Sequence, residues 1–434
     1  MRICMFTNTY LPHVGGVARS VDFFAHDLRK LGHQVLVVAP TFPADMGPAE
    51  DNDHILRVPA VQNFNGSDFS VRIPVPFIIS QRIDDFKPDI LHSHHPFLMG
   101  DTALRIARRR NLPLVFTHHT LYEKYTHYVP LDSKPLQDFV INLATRYANF
   151  CDRVVAPSHS IARLIRWRGV KRPIEEIPTG VDIDFFARGH HRRFRNTHHI
   201  PAEAGVVGHL GRLAPEKNLM YLAAAVADFV YRHAQSRFLV VGSGPSEAGI
   251  RKIFVERDLA RQLVMPGSQS GQDLSDAYSA MDLFVFSSQS ETQGMVLLEA
   301  MAAGKPVIAL DASGVREVVE DGRNGRLLAE NASSRIFAAA IEDFFKDSKM
   351  ADRWGRQALE TAHSMSRTVC ARRLERLYRS ALTNRFDRPE VQITDELIPW
   401  ESLLEGIKVE WELLTEKTTA AMSALRAPEL SDTE

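Results

Sequence analysis

The chain has 434 residues, 44% of them hydrophobic and 24% charged, with 52 basic side chains against 53 acidic ones. That length implies two or three domains whose cores need no metal or disulfide staples. The near-zero balance excludes a surface built throughout for nucleic acid. Three widely spaced cysteines, Cys4, Cys151 and Cys370, exclude a zinc ribbon or disulfide framework and point to a reducing, cytoplasmic setting.

No stretch reaches the ~18–20 apolar residues of a membrane span, and Met1–Tyr10 lacks the pattern of a signal peptide. Residues 2–7 read as a buried strand, followed by a turn-rich loop with Gly15 and Gly16. Val21, Phe24, Ala25 and Leu28 then recur at three and four residues, which predicts a helix from about Val17 to Leu31. Strands are predicted at 34–39, 89–92, 114–117 and 153–156, with helices over 101–110 and 136–150. Continuous apolar strands separated by helices specify βαβ units and a parallel sheet.

The rhythm stops near Asp184. Residues 187–202 are polar and basic with little core potential, so 186–203 reads as a linker. The same grammar restarts at 205, with strands at 205–210, 237–241, 263–265, 283–286 and 306–310 and helices between them. Helices from about 333 to 382 are expected to close the second domain. The expected fold is α/β: doubly wound domains over 1–185 and 204–389, with ligands bound in the cleft outside the carboxyl ends of the strands. The tail, 390–434, holds 11 acidic residues against three basic ones, and Leu403, Leu404, Ile407, Trp411 and Leu414 lie at helical spacing. It reads as an acidic amphipathic helix that packs on its own chain or binds a partner. Residues 1–200 carry 25 basic and 19 acidic residues, so the overall neutrality is a cancellation.

The densest chemistry lies in Ser287–Gly304. Glu291 falls in the loop after a strand, Gly294 and Met295 start a helix, and Glu299 sits about one turn in. Backbone N–H groups at such a helix start suit a diphosphate, and the two carboxylates suit sugar and ribose hydroxyls. Arg212 and Lys217 flank the turn between the first strand and helix of the second domain, where two cations can neutralise a diphosphate. Gly16 lets backbone approach a phosphate; the GxGxxG dinucleotide pattern is absent. Gly242-Ser243-Gly244 forms a similar turn. His119 ends a strand in the cleft, where it can bond a sugar hydroxyl or handle a proton. With His92, His94, His95 and His118 it forms a histidine cluster, but no carboxylate partner or HExxH spacing supports a metal, and none is expected. Asp182-Ile183-Asp184 has the letters of a DxD metal–diphosphate motif, yet falls where the chain leaves the first domain.

Together these residues resemble glycosyltransferase family 4, retaining enzymes with two facing Rossmann-like domains (the GT-B fold), over roughly residues 1–385. The resemblance rests on the E-x7-E pair Glu291 and Glu299 and on GRLAPEKN at 211–218. Gln293 departs from it, standing where the family usually has Phe. The resemblance implies a nucleotide-sugar donor and no cofactor or bound metal. It assigns Arg212 and Lys217 to the diphosphate, Glu291 to the donor sugar, Glu299 to the ribose, Gly16 to the phosphates, Gly267 to the base and His119 to the active site.

The segment HTLYEKYTHY at 119–128 resembles that of bacterial diacylglycerol glucosyltransferases. This implies transfer of glucose from UDP-glucose to a membrane lipid by an enzyme peripheral to the inner face of the membrane. GDP-mannose-dependent transfer to a phosphatidylinositol-type lipid and transfer to a soluble sugar are the alternatives, with a non-catalytic nucleotide-binding scaffold as an outsider. Arg105, Arg108–Arg110, Arg163, Arg166, Arg168, Lys171 and Arg172, with Trp167 and the apolar stretch Pro76–Phe86, would meet anionic lipid.

Overall fold

A computed structural model describes residues 1–12, 15–41, 53–61, 71–72, 76–124, 134–289 and 291–383. The acidic tail and Tyr125–Tyr128 of the lipid-enzyme segment lie outside the described residues. The first half runs β1 (Arg2–Phe6), α1 (Gly16–Lys30), β2 (Gln34–Pro40), β3 (Ile55–Val58), the short strands β4 (Ala60–Val61) and β5 (Val71–Arg72), α2 (Pro76–Phe86), β6 (Ile90–Ser93), α3 (Met99–Arg109), β7 (Leu114–Thr117), α4 (Lys134–Phe150), β8 (Arg153–Ala156), α5 (His159–Trp167) and β9 (Ile174–Glu176). Seven of these strands form one parallel sheet in the order β3-β2-β1-β6-β7-β8-β9, and β4 and β5 pair antiparallel. Strands β1, β6, β7 and β8 are almost wholly buried, as their unbroken apolar runs predict for a sheet covered on both faces.

The second half runs α6 (Ile183–Ala187), α7 (His191–Thr197), β10 (Val206–Leu210), α8 (Leu219–Arg232), β11 (Arg237–Val241), α9 (Glu247–Val255), β12 (Leu263–Gly267), α10 (Gly271–Ala280), β13 (Leu283–Phe286), α11 (Met295–Ala302), β14 (Val307–Leu310), β15 (Gly325–Leu328), α12 (Ser334–Lys346), α13 (Ser348–Ser364) and α14 (Arg367–Thr383). Its sheet is parallel in the order β12-β11-β10-β13-β14-β15. In each sheet the first strand of the domain is central, and the order reverses beside it. Such a switch point opens a crevice at the carboxyl ends.

Two expectations fail here. The last helix does not close the second domain. Cys370, Leu374, Leu377, Tyr378 and Ala381 of α14 pack with Val21, Phe24 and Leu28 of α1 and with Ile3, Val115 and Val155 of the first sheet. The chain crosses back, and α14 covers a face that α1 alone leaves incomplete. Nor is 187–202 without core potential. Phe194 and Arg195 are buried. Arg195 donates to the carbonyls of Ala202, Ala204 and Ala280 at 2.8–3.1 Å and pairs with Asp282 at 3.0 Å. A buried guanidinium is tolerated when its donors find acceptors, and a count of basic residues hides that outcome.

Phe194→Ala tests the docking of α7. Truncating a buried Phe costs about 3–5 kcal/mol, so the urea midpoint of the second domain should drop clearly. An unchanged midpoint would show that α7 is not part of the core.

Candidate active site

The residues of interest lie in the turns at carboxyl strand ends and in the helices beside them. After β10 the chain turns through Gly211–Leu213, and the turn after β11 packs backbone against it. A Cβ on Gly242 would lie 1.9 Å from the Gly211 carbonyl oxygen, and one on Gly244 would lie 2.4 Å from that of Leu213. The amide of Leu213 donates to Ser243 O at 2.9 Å. These glycines therefore have a packing reason, and they hold the Arg212 turn rigid.

Ser287 at the end of β13 donates to the carbonyls of Lys217 and Asn218 at 3.0 and 3.1 Å. The short turn Pro215–Lys217 is thereby stitched to the loop that carries Glu291. Lys217 and Glu291 form an ion pair, both largely shielded from solvent. Arg212 pairs with Glu216 and remains about half exposed. Thus Lys217 and Glu291 are brought together, with Arg212 on the adjacent turn.

Helix α11 starts after Gly294, whose φ is +68°. A side chain there would meet Leu297 and the Gly314 carbonyl within 3.0 Å, so only glycine fits both the angle and the space. Met295 opens the helix, and Glu299 is buried one turn on. Its Oε2 accepts from the Tyr278 hydroxyl at 2.7 Å, and its Oε1 pairs with Arg19 at 3.2 Å. Burial raises the Glu299 pKa, while Arg19 and Tyr278 act in the opposite sense.

Gly16 opens α1 and is exposed; a Cβ built on it meets nothing within 4 Å. Gly267 ends β12 with φ +80° and is likewise open. His119 follows β7, and its Nε2 lies 2.8 Å from His94 Nδ1. His92 sits between Tyr378 at 2.6 Å and Thr117 at 2.7 Å. Among the described residues, no group of three or more His, Cys, Asp or Glu side chains is arranged to hold a metal ion. Asp182 of the DxD letters accepts from Phe185 N at 3.0 Å as the cap of α6 and pairs with Arg367.

Arg19, Tyr278 and Ser158 at the site escaped the sequence reading, and Gln293 was singled out there without its partner. Arg19 and Tyr278 hold Glu299. Ser158 after β8 donates to Thr292 O at 2.7 Å. Gln293 donates to Thr179 O at 2.6 Å and accepts from Thr179 N at 2.8 Å. The Gln at this position thus ties the Glu291 loop to the first domain. For Arg19 a signal existed: a cation three residues after Gly16 shares the first turn of that helix.

Residues 14–185 match the family model described as Glycosyltransferase Family 4, and residues 191–361 match that described as Glycosyl transferases group 1. A GDP-mannose-dependent alpha-mannosyltransferase from Mycobacterium tuberculosis is 30% identical over 76% of this chain and 84% of its own length. The chain belongs to glycosyltransferase family 4. Another family member, the alpha-monoglucosyldiacylglycerol synthase of Streptococcus pneumoniae, is 29% identical over 75% of each chain. A sucrose-phosphate synthase from Thermosynechococcus elongatus superposes with a TM-score of 0.71 at 22% identity, covering 88% of this chain and 99% of that one. The two facing Rossmann-like domains are the GT-B fold, and the protein is a hexosyltransferase of this family.

The histidine cluster has a measurable cost. Burial pushes His92 and His95 down to about 3 and His118 to about 4, and it pushes His209, outside the cluster on β10, to about 4 as well. Above the unfolded value of about 6.5 both states are neutral and stability is full. As pH falls below that value the unfolded chain takes up protons that the folded chain refuses, and each histidine withdraws about 1.4 kcal/mol per pH unit. The melting temperature should therefore fall between pH 7 and pH 5. A flat profile would mean that these rings protonate in place.

Proposed function

We propose that this enzyme transfers glucose from UDP-glucose, with retention, to a diacylglycerol-type membrane lipid. The observation that carries the reading is the Lys217–Glu291 pair beside the α11 start, with Glu299 one turn deeper. The donor ribose rests on Glu299, the diphosphate on the N–H groups at Gly294 and Met295, and the base near Gly267. Lys217, Arg212 and the backbone at Gly16 stabilise the leaving diphosphate as its charge grows. Glu291 orients the donor hexose and holds Lys217 in place. His119, kept neutral by burial among His92, His95 and His118, acts as a hydrogen-bonding group toward the sugar.

The acceptor hydroxyl attacks from the face that the diphosphate leaves. We assign neither Glu291, paired with Lys217, nor Glu299, buried one turn into α11, as a covalent nucleophile. Domain closure keeps water from competing with the acceptor. The chemistry asks for no metal or cofactor.

A membrane acceptor is supported by the names of relatives such as the pneumococcal synthase and by the surface of α5. Trp167 is 83% exposed, with Arg163, Arg166 and Lys171 exposed around it. Arg105 and Arg109 of α3 are exposed as well. Arg108, Arg110, Arg168 and Arg172 are engaged by Phe150 O, Asp84, Glu123 and Asn149 O, which trims the basic face expected from sequence. Each exposed cation near an anionic surface contributes about 1 kcal/mol, and an indole suits the interface. No described helix is long and apolar enough to cross a membrane. A GDP-mannose donor is the second reading, favoured by the mycobacterial relative.

A donor screen with UDP- and GDP-sugars, read by product mass against lipid and soluble acceptors, decides between them. UDP-glucose with diacylglycerol is the expected pair; product from GDP-mannose alone would replace it. With the working pair, Lys217→Ala and Glu291→Ala should each lower kcat by about 10²–10³. Unchanged transfer would remove these residues from the reaction. Trp167→Ala combined with Arg163→Glu and Arg166→Glu should reduce flotation with phosphatidylglycerol vesicles while sparing transfer to a detergent-dispersed acceptor. Undiminished flotation would move the docking face elsewhere.

A further inference from the structure

The contact between Arg19, in the first turn of α1, and Glu299, one turn into α11, joins two helices from different domains. Arg19 is three residues into α1, and Glu299 is four residues into α11. Helical side chains lean toward the N-terminus, so both lie over the starts of their helices. Neither first turn contains an acidic residue, and neither N-cap, Gly15 or Gly294, supplies a side-chain cap. The Arg19–Glu299 contact thus links two helix starts whose N–H groups, lacking side-chain caps, carry positive character. Such helix starts suit an anion.

The Glu299 carboxylate is divided between two partners. Tyr278 occupies Oε2, and Arg19 occupies Oε1. A ribose diol arriving at this carboxylate meets Arg19 at Oε1. A guanidinium has five N–H donors and a long stem, and that of Arg19 is one-third exposed, so it can turn within the cleft. The diphosphate that accompanies the ribose is bound only a few bonds away, at the helix starts.

We propose that Arg19 is a further donor-binding residue, which passes from Glu299 to the diphosphate when a nucleoside diphosphate binds. Resting on the donor site described above, the inference adds a cation from the first domain to Arg212 and Lys217 of the second. Without donor, Arg19 neutralises a buried carboxylate that would otherwise be costly to keep charged. With donor, hydroxyls take over Glu299, and the guanidinium is released to phosphate oxygens, where a bidentate fork is favoured. The same side chain serves both states, and its charge follows the ligand's.

The exchange makes opposite demands on two ligands. A nucleoside carries the ribose but no phosphate, so it must compete with Arg19 and receives nothing from it. The diphosphate recovers that interaction. The test is the binding of UDP, GDP, uridine and guanosine to the full chain and to Arg19→Met and Arg19→Lys, measured by calorimetry with weak ligands read by competition. Melting curves of each variant confirm that it folds.

Arg19→Met should weaken the bound diphosphate at least tenfold while leaving the matching nucleoside unchanged or tighter, and Arg19→Lys should restore part of the diphosphate affinity. Parallel loss of diphosphate and nucleoside would make Arg19 merely structural. Unchanged diphosphate affinity, or a gain for both ligands, would reduce it to a plug on Glu299. Either result overturns the proposal while the donor site stands. Failure of the unmodified chain to bind UDP or GDP would instead overturn the donor site itself, and the proposal with it.

Discussion

The guanidinium of Arg367 stands where the chain crosses between the domains for the second time. It forms two parallel 2.8 Å bonds to Asp27 of α1, reaches Asp182 at 3.3 Å and lies 4.2 Å over the ring of Phe23. The two crossings are zipped together by Val181 N to Met365 O at 3.1 Å and Arg367 N to Val181 O at 3.0 Å. Gly180 permits that approach, since a Cβ there would lie 2.3 Å from Arg367 Cα. Removing one partner of a shielded ion pair of this kind typically costs about 3–5 kcal/mol. Arg19, Phe23 and Asp27 repeat every four residues and therefore share one face of α1. One end of that stripe is fixed at the crossing and the other meets Glu299, so the orientation of α1 sets what the first domain presents to the second.

Polar burial is concentrated where the two sheets point their carboxyl ends. Thr7, Asn8, His92–His95, Thr117 and His118 at the first sheet, and Ser287, Ser288 and Glu299 at the second, are all nearly inaccessible. Each needs an internal partner to offset lost hydration. Many find it in backbone: Ser93 donates to His95 O at 2.6 Å, Thr7 to Thr9 O at 2.8 Å, and Ser287 to the turn before α8. Hydroxyls and imidazoles thus fix the loops that carry the working groups.

Much of the architecture was legible because buried parallel strands write themselves as unbroken apolar runs, and β1, β7 and β13 lie within a residue of where those runs place them. Motif spacing likewise put Glu291, Arg212 and Lys217 in the turns after strands and Glu299 one turn into the helix that follows. What could not be read was partnership across the fold. The apolar stripe of α14 says that the helix packs, without saying on which domain. Arg195 looks solvated until its carbonyl acceptors are known. The pairing of Arg19 with Glu299 joins residues 280 positions apart, and the role of Gln293 depends on the backbone of Thr179. These contacts arise only when two separately legible domains meet.

The Gln293 amide offers Thr179 one donor and one acceptor, as a neighbouring strand would. The side chain acts as a single detachable rung between the loop of one sheet and the crossing segment of the other. Its length limits how far the domains can part before both bonds break together. A separation of the domains that breaks these bonds therefore also frees the loop between Glu291 and α11 from the first domain.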